Sequence, residues 1–330
     1  MNVLKTATAL LKPLETSSSL GLFARDTGGC LISRLSLSRS EQERKEVSMA
    51  EISESAIFYF AAPILAKLFG NIYSKLPIKS DVSKTSQFLS VFALILPLVY
   101  LIAPIRNLMT LKDTGKDEFI SVVGLKKDNE NTKENLKNND AKTKMLNLIK
   151  KAGLFTAGAA LSTIALIASS KNEKIYKKIE PIIKKINEHF SFNKDGDLKL
   201  LHYAVLIYPA SILGYFKASR DKYEVMENIR RFSISVPLLF LGDKIIEKPI
   251  YKFFDKKFNT SVTDKNNIKS YEDILKLPKE KQNQFLKAKN FSFGLNFLAS
   301  TMLVAAGITL LNRIQTKRNY EKDNNLNKNV

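Results

Sequence analysis

Apolar stretches without a single charge alternate along this chain with segments dense in lysine, asparagine and glutamate. Four of the apolar stretches, 88–105, 152–170, 200–216 and 291–312, contain no Asp, Glu, Lys or Arg. A helix needs about 17–25 predominantly apolar residues to cross roughly 30 Å of hydrocarbon, so each of these lengths predicts a membrane-crossing α-helix. A soluble core explains one helix of that kind, whereas four in one chain predict an all-α, polytopic integral membrane helical bundle with basic amphipathic interfacial helices.

Two further blocks are apolar but short. Within 55–76, residues 55–66 are charge-free, Lys67 follows, and Pro63 removes a backbone donor. Within 232–246, an apolar run containing Pro237 ends at Asp243 and Lys244. Pro63 and Pro237 are therefore predicted helix breaks. Glu46 and Val47 precede Pro63, Ile64 and Leu65, while Glu224 and Val225 precede Pro237, Leu238 and Leu239 at a spacing four residues shorter. This suggests a diverged internal repeat, and paired proline-interrupted segments are a feature of repeat-built transporters.

The connecting segments read as follows. Val3, Leu4, Ala7, Leu10, Leu11 and Leu14 fall at helical spacing and predict a short amphipathic helix. Ser40 followed by Glu43 is a capping-box pattern that starts a helix near Glu41, and Ser270 with Asp273 marks another start. Ile175, Ile179, Ile182, Ile183, Ile186 and Phe190 form one stripe of a helix whose remainder carries Lys177, Lys178, Lys184 and Lys185, the pattern of a basic helix on a membrane surface. Lys252, Lys256 and Lys257 interleave with phenylalanines, as suits a head-group region. These seven lysines are the expected contacts to anionic lipid. The polar run 126–144 is expected as a disordered linker and 313–330 as a disordered tail. The resulting division is an N-terminal segment 1–48, a membrane half 49–125, the linker, a membrane half 145–312, and the tail.

Charge and composition narrow the function classes. The formal net charge is +20 with a pI near 9.7. The cations flank apolar segments and no nucleic-acid fold signature accompanies them, so the expected partner is the lipid bilayer and not nucleic acid. Cys30 is the only cysteine, which excludes an intrachain disulfide and a cysteine-based metal cluster. Asp26-Thr27-Gly28 and Asp113-Thr114-Gly115 resemble the catalytic triplets of aspartic proteases, but Arg25 and Lys112 precede them where that family has an apolar strand. Gly242-Asp243 resembles the motif of intramembrane aspartic proteases but has Phe240 in place of the first glycine. Asn193, Asp195 and Asp197 lack the glycine and glutamate of a calcium loop. His202 and Tyr203 suit an interface.

No catalytic residue, cofactor or metal is therefore predicted. Ser292, Asn296 and Ser300 recur at four-residue spacing and predict an intramembrane polar stripe that meets a partner helix or lines a path, and the small residues of 152–163 permit helix–helix association. Arg220 with Glu224, and Glu227 with Arg231, predict a salt-bridged connector. The expectation is a non-enzymatic, multi-pass structural or lipid-interacting membrane protein. A small-solute transporter or channel built on the repeat is the alternative, and a lipid-modifying enzyme comes third. The location expected is a bacterial plasma membrane, or an organelle membrane in a eukaryote.

Overall fold

The computed structural model describes residues 3–126, 134–192, 198–264 and 267–328. In chain order the helices are α1 (Val3–Thr16), α2 (Ser18–Arg25), α3 (Ile32–Ser36), α4 (Glu41–Ser55), α5 (Ala62–Ser74), α6 (Ser80–Thr114), α7 (Phe119–Val122), α8 (Glu134–Ser170), α9 (Glu173–Phe190), α10 (Leu200–His202), α11 (Tyr208–Ala218), α12 (Lys222–Phe258), α13 (Tyr271–Leu275), α14 (Lys279–Met302) and α15 (Ile308–Lys328). Single π-helical turns, Asp26–Leu31, Ala56–Ala61, Tyr203–Ile207 and Leu303–Gly307, join α2 to α3, α4 to α5, α10 to α11 and α14 to α15. One two-residue hairpin, β1 (Thr263–Asp264) with β2 (Asn267–Ile268), pairs Thr263 with Ile268. The all-α class holds.

Helix starts follow the capping chemistry in the sequence. Ser17, Ser40, Asn172 and Ser270 each accept a backbone N–H from the first turn of their helix. Helix α6 stops at Gly115, whose φ of 69° supplies the left-handed cap. The second Asp-Thr-Gly triplet is thus a helix end, and the first opens a π turn.

Among the described residues four helices are long and apolar enough to cross a membrane: Glu41–Ser74, Ser80–Thr114, Asn139–Ser170 and Lys279–Leu326. Residues 55–74 of the block 55–76 lie inside the first of these, because α4, the π turn and α5 run on as one helix. Pro63 sits just past the π turn, at the start of α5. The stretch 200–216 lies within α10 to α11 and is not among the four, since His202, three tyrosines and Pro209 dilute its hydropathy. Block 232–246 is part of the long α12, which contains Pro237.

The polar linker and tail also differ from expectation where they are described. Helix α8 begins at Glu134, within 126–144, and its residues Met145 and Leu148 are buried. Helix α15 continues to Lys328, where Asp323 accepts hydrogen bonds from Tyr223 and Lys222. Residues 127–133, and Asn193, Asp195 and Asp197, lie outside the described residues.

The chain forms two compact units, each assembled from two separated stretches: unit 1 is Met1–Leu37 with Arg230–Arg313, and unit 2 is Ser38–Ile229 with Ile314–Val330. In unit 2, α6 is the central helix. Its apolar window is 56% buried, against 11% for that of α8, so α8 is peripheral. Val91, Phe92, Ile95, Val99 and Ile102 form the buried length of α6. Tyr176 and Ile183 of α9 bury against Val82, with Ile179 alongside. That stripe is therefore covered by the chain itself, while Ile175 and Ile182 remain exposed. His202 is fully buried among Phe92, Phe190 and Phe192, and its ring nitrogens meet the Lys199 N–H and the Phe190 carbonyl.

In unit 1, α1 packs along α14. Leu4, Leu11 and Leu14 meet a core of Tyr251, Val262, Tyr271, Ile274, Leu286, Ala288 and Phe293. The buried ammonium of Lys289 pairs with Glu15 at 2.5 Å and lies over the rings of Tyr251 and Tyr271.

Candidate functional site, a buried arginine–glutamate lattice

Unit 2 encloses three guanidiniums and four carboxylates at the start of α4, the start of α12 and the far end of α6. Burying charges is costly unless each is paired and hydrogen-bonded, and here the pairing is nearly complete. Arg39 stands just before the Ser40 cap of α4. Its backbone N–H and guanidinium all donate to Glu43, at 2.6, 3.2 and 2.9 Å. Arg220 stands just before Asp221, which caps α12 by accepting the N–H groups of Tyr223 and Glu224. Arg220 donates to Glu224 in the same manner, at 2.8, 3.0 and 3.0 Å.

Each arginine then reaches across to the other helix. The Arg39 guanidinium forms a two-pronged pair with Glu227 at 2.7 and 3.3 Å. The Arg220 guanidinium forms the same kind of pair with Glu46 at 2.7 and 3.0 Å. The arrangement is reciprocal: each arginine holds the glutamate four residues ahead on its own helix and the one seven residues along from the other arginine. Both guanidiniums also lie over the single ring of Phe119 in α7, at 5.2 and 5.6 Å.

Helix α6 closes the lattice. Arg106 donates to Glu224 at 2.6 Å, lies 3.7 Å from Glu46, and is steadied by the Asn107 carbonyl oxygen at 2.7 Å. Asn107 in turn donates to the Ala218 carbonyl, and Thr110 donates to Glu46 at 2.5 Å. Burial alone would lower the Arg220 pKa, but Glu224 and Glu46 outweigh it and hold it above its usual value. Arg39 behaves alike through Glu227 and Glu43. Burial alone would raise the Glu224 pKa, but Arg220 and Arg106 hold it below the usual carboxylate range. Groups so placed stay charged near neutrality and do not exchange protons there. What they can do is hold three helices together by contacts that are either made or broken.

The geometry makes a sequence match visible. Arg39-Ser40-x-x-Glu43-x-x-Glu46 and Arg220-Asp221-x-x-Glu224-x-x-Glu227 share one spacing. The spacing places Glu46 opposite Glu227 and not opposite Glu224, one helical turn from the register that the proline blocks suggest. Matched in this way, the π turn beginning at Ala56 and Pro237 both fall seventeen residues beyond their arginines. On the later long helices, Arg106-Asn107-x-x-Thr110 matches Asn312-Arg313-x-x-Thr316. Nine residues before each stand Pro97 and the π turn Leu303–Gly307.

The residues singled out from sequence lie apart from the lattice. Lys177, Lys178, Lys184 and Lys185 are exposed on α9, and Lys252, Lys256 and Lys257 are exposed on α12. Ser292, Asn296 and Ser300 share a buried face of α14 in unit 1, where Ser300 donates to the Phe297 carbonyl while the Ser292 hydroxyl and the Asn296 carbonyl oxygen have no partner among the described residues. The predicted Arg220–Glu224 pair forms. Arg39 had a local partner in Glu43, but its pairing with Glu227 and that of Arg106 with Glu224 carried no signal, because those partners lie 188 and 118 residues away. The recurring Arg-x-x-x-Glu-x-x-Glu spacing was the available signal. Among the described residues no group of three His, Cys, Asp or Glu side chains is placed to hold a metal ion. No protein-family model, curated protein or solved structure matches the chain.

Proposed function

We propose that the chain is a multi-pass membrane protein built on two diverged repeats, and that it acts by changing shape to pass a small solute, with the arginine–glutamate lattice as a gate in its closed state. The observation that carries this reading is the reciprocal pairing of Arg39 with Glu227 and of Arg220 with Glu46. A static tie between helices needs one such pair. Two equivalent pairs, made by matching segments that also precede matching helix interruptions, suit two repeats that move against each other, and helix breaks at corresponding positions are a mark of repeat-built transporters. The lattice's cost in desolvation fits a contact that is retained for switching rather than for stability alone.

Accessibility of a buried reporter tests this. Ala103 is 1% exposed on α6, one turn before Asn107. In a Cys30→Ser background, Ala103→Cys is expected to react slowly with a water-soluble thiol reagent in membranes. Arg39→Glu should raise that rate at least tenfold, and Arg39→Glu combined with Glu227→Arg should restore protection. Equal rates in all three proteins would make the lattice a fixed staple and sink the gate. The alternative of a non-enzymatic structural or lipid-interacting protein draws on the exposed lysines of α9 and α12, and it is the reading that such a result would favour.

A further inference from the structure

Unit 2 contains a cleft of ≈ 380 Å³, set where the Pro97 region of α6, the start of the apolar part of α8, and the π turn with α11 come together. Its lining includes Pro97, Tyr100, Phe155, Val205 and Leu213, and Lys151 is the only charged residue in it. Small-molecule sites have this form, roughly 300–1,000 Å³ of mostly apolar wall with a few placed polar groups. Two features of its surroundings indicate what fills it. The cleft opens beside the face of α8 that the protein leaves bare, where Leu154 is 73% exposed and Leu161 66%, so its mouth meets whatever covers that face. Lys151 also stands at the border of the apolar run, next to Lys150, where the charged part of the chain gives way to the charge-free part.

We propose that this cleft binds one acyl chain of an anionic phospholipid, with the phosphate head group held at Lys151 and Lys150. The inference rests on the membrane reading above but not on the gate. An apolar tail enters between helices where proline and the π turn prevent regular packing, and the lysines select for negative charge, as basic pockets between membrane helices do for acidic lipid. A neutral lipid would fill the apolar part equally well and leave the cations unanswered.

The chain has no tryptophan, so Phe155→Trp places a single fluorescent reporter at the cleft. The full-length variant is reconstituted into phosphatidylcholine vesicles containing small fractions of brominated phosphatidylglycerol or brominated phosphatidylcholine. Brominated phosphatidylglycerol is expected to quench the reporter at a mole fraction at least fivefold lower than brominated phosphatidylcholine. Adding Lys150→Gln and Lys151→Gln should remove that preference while leaving quenching by both lipids. Equal quenching of the parent reporter by the two lipids would overturn the proposal, as would absence of quenching by either, the result expected if a second copy of the chain covers the cleft. Flotation with the vesicles is scored separately: a chain that fails to float refutes the membrane reading itself, whereas a floating chain without lipid preference refutes only the cleft assignment.

Discussion

The matched helix ends of the two units carry different chemistry in the same places. In unit 2, Arg106 and Asn107 at the end of α6 join an ionic lattice and reach the Ala218 carbonyl at the end of α11. In unit 1, the matching Asn312 accepts from Arg230, and Arg313 donates to the Arg34 carbonyl near the end of α3. Both long helices thus bind the end of a helix that precedes an arginine motif, and Arg106 of α6 also meets the carboxylates of Glu224 and Glu46. The interruptions differ in the same complementary way, with proline in α6 where unit 1 has a π turn, and proline in α12 where α4 and α5 have one. Helix breaks thus fall at equal distances from these matching sequence positions, made by proline in one place and by a π turn in the other. Proline removes a donor and a π turn inserts a residue, and both leave carbonyls free to bend the helix.

The comparison is most sharply tested at Arg220. Removing it leaves Glu46 and Glu224 buried without their main partner, and loss of one member of a buried ion pair costs about 3–5 kcal/mol. Arg220→Ala should therefore lower stability in denaturant titrations by that order. Arg39→Ala should cost less, about 1.5–3 kcal/mol as for hydrogen bonds to charged groups, because its side chain is 14% exposed against 4% for Arg220. Equal losses would mean that the two halves of the lattice are energetically alike despite their burial.

Smaller effects separate the close helix approaches. A Cβ on Gly214 would meet the backbone carbonyl of Tyr100, which cannot rotate away, so Gly214→Ala in unit 2 should cost about 1–3 kcal/mol by overpacking. A Cβ on Gly29 would meet the methyl group of Thr301, which can shift, so Gly29→Ala in unit 1 should cost less in the same titration. The smallest effect is in acid. Glu224 has a folded pKa depressed below its unfolded value of about 4.3. Its contribution is complete above that value and is lost as the pH falls through the depressed one. Thermal midpoints should decline below about pH 4, and Glu224→Gln should flatten that decline while lowering the midpoint at neutral pH.

The helical class and the apolar lengths were legible because charge-free runs and caps such as Ser40 and Ser270 are local properties. The full extent of the first helix long enough to cross was not, since Glu43, Glu46, Glu51 and Glu54 look like a water-facing surface until their burial is known. The amphipathic stripe of α9 was legible as a stripe. Whether lipid or protein covers it depends on Val82, nearly a hundred residues earlier, which no periodicity in α9 can report. The lattice was half legible: Arg220–Glu224 follows from spacing on one helix, but Arg39–Glu227 and Arg106–Glu224 depend on tertiary packing.

The division of unit 1 into two separated stretches has a consequence for synthesis. Helices α1 to α3 are made early, and α14, against which α1 packs, is made more than two hundred residues later. At about 5–20 residues per second that interval is on the order of 10–50 s. Throughout it, Leu4, Leu11 and Leu14 lack the core of Tyr251, Tyr271 and Phe293 that covers them, so the early chain must be sheltered by lipid or a chaperone until α14 has been made.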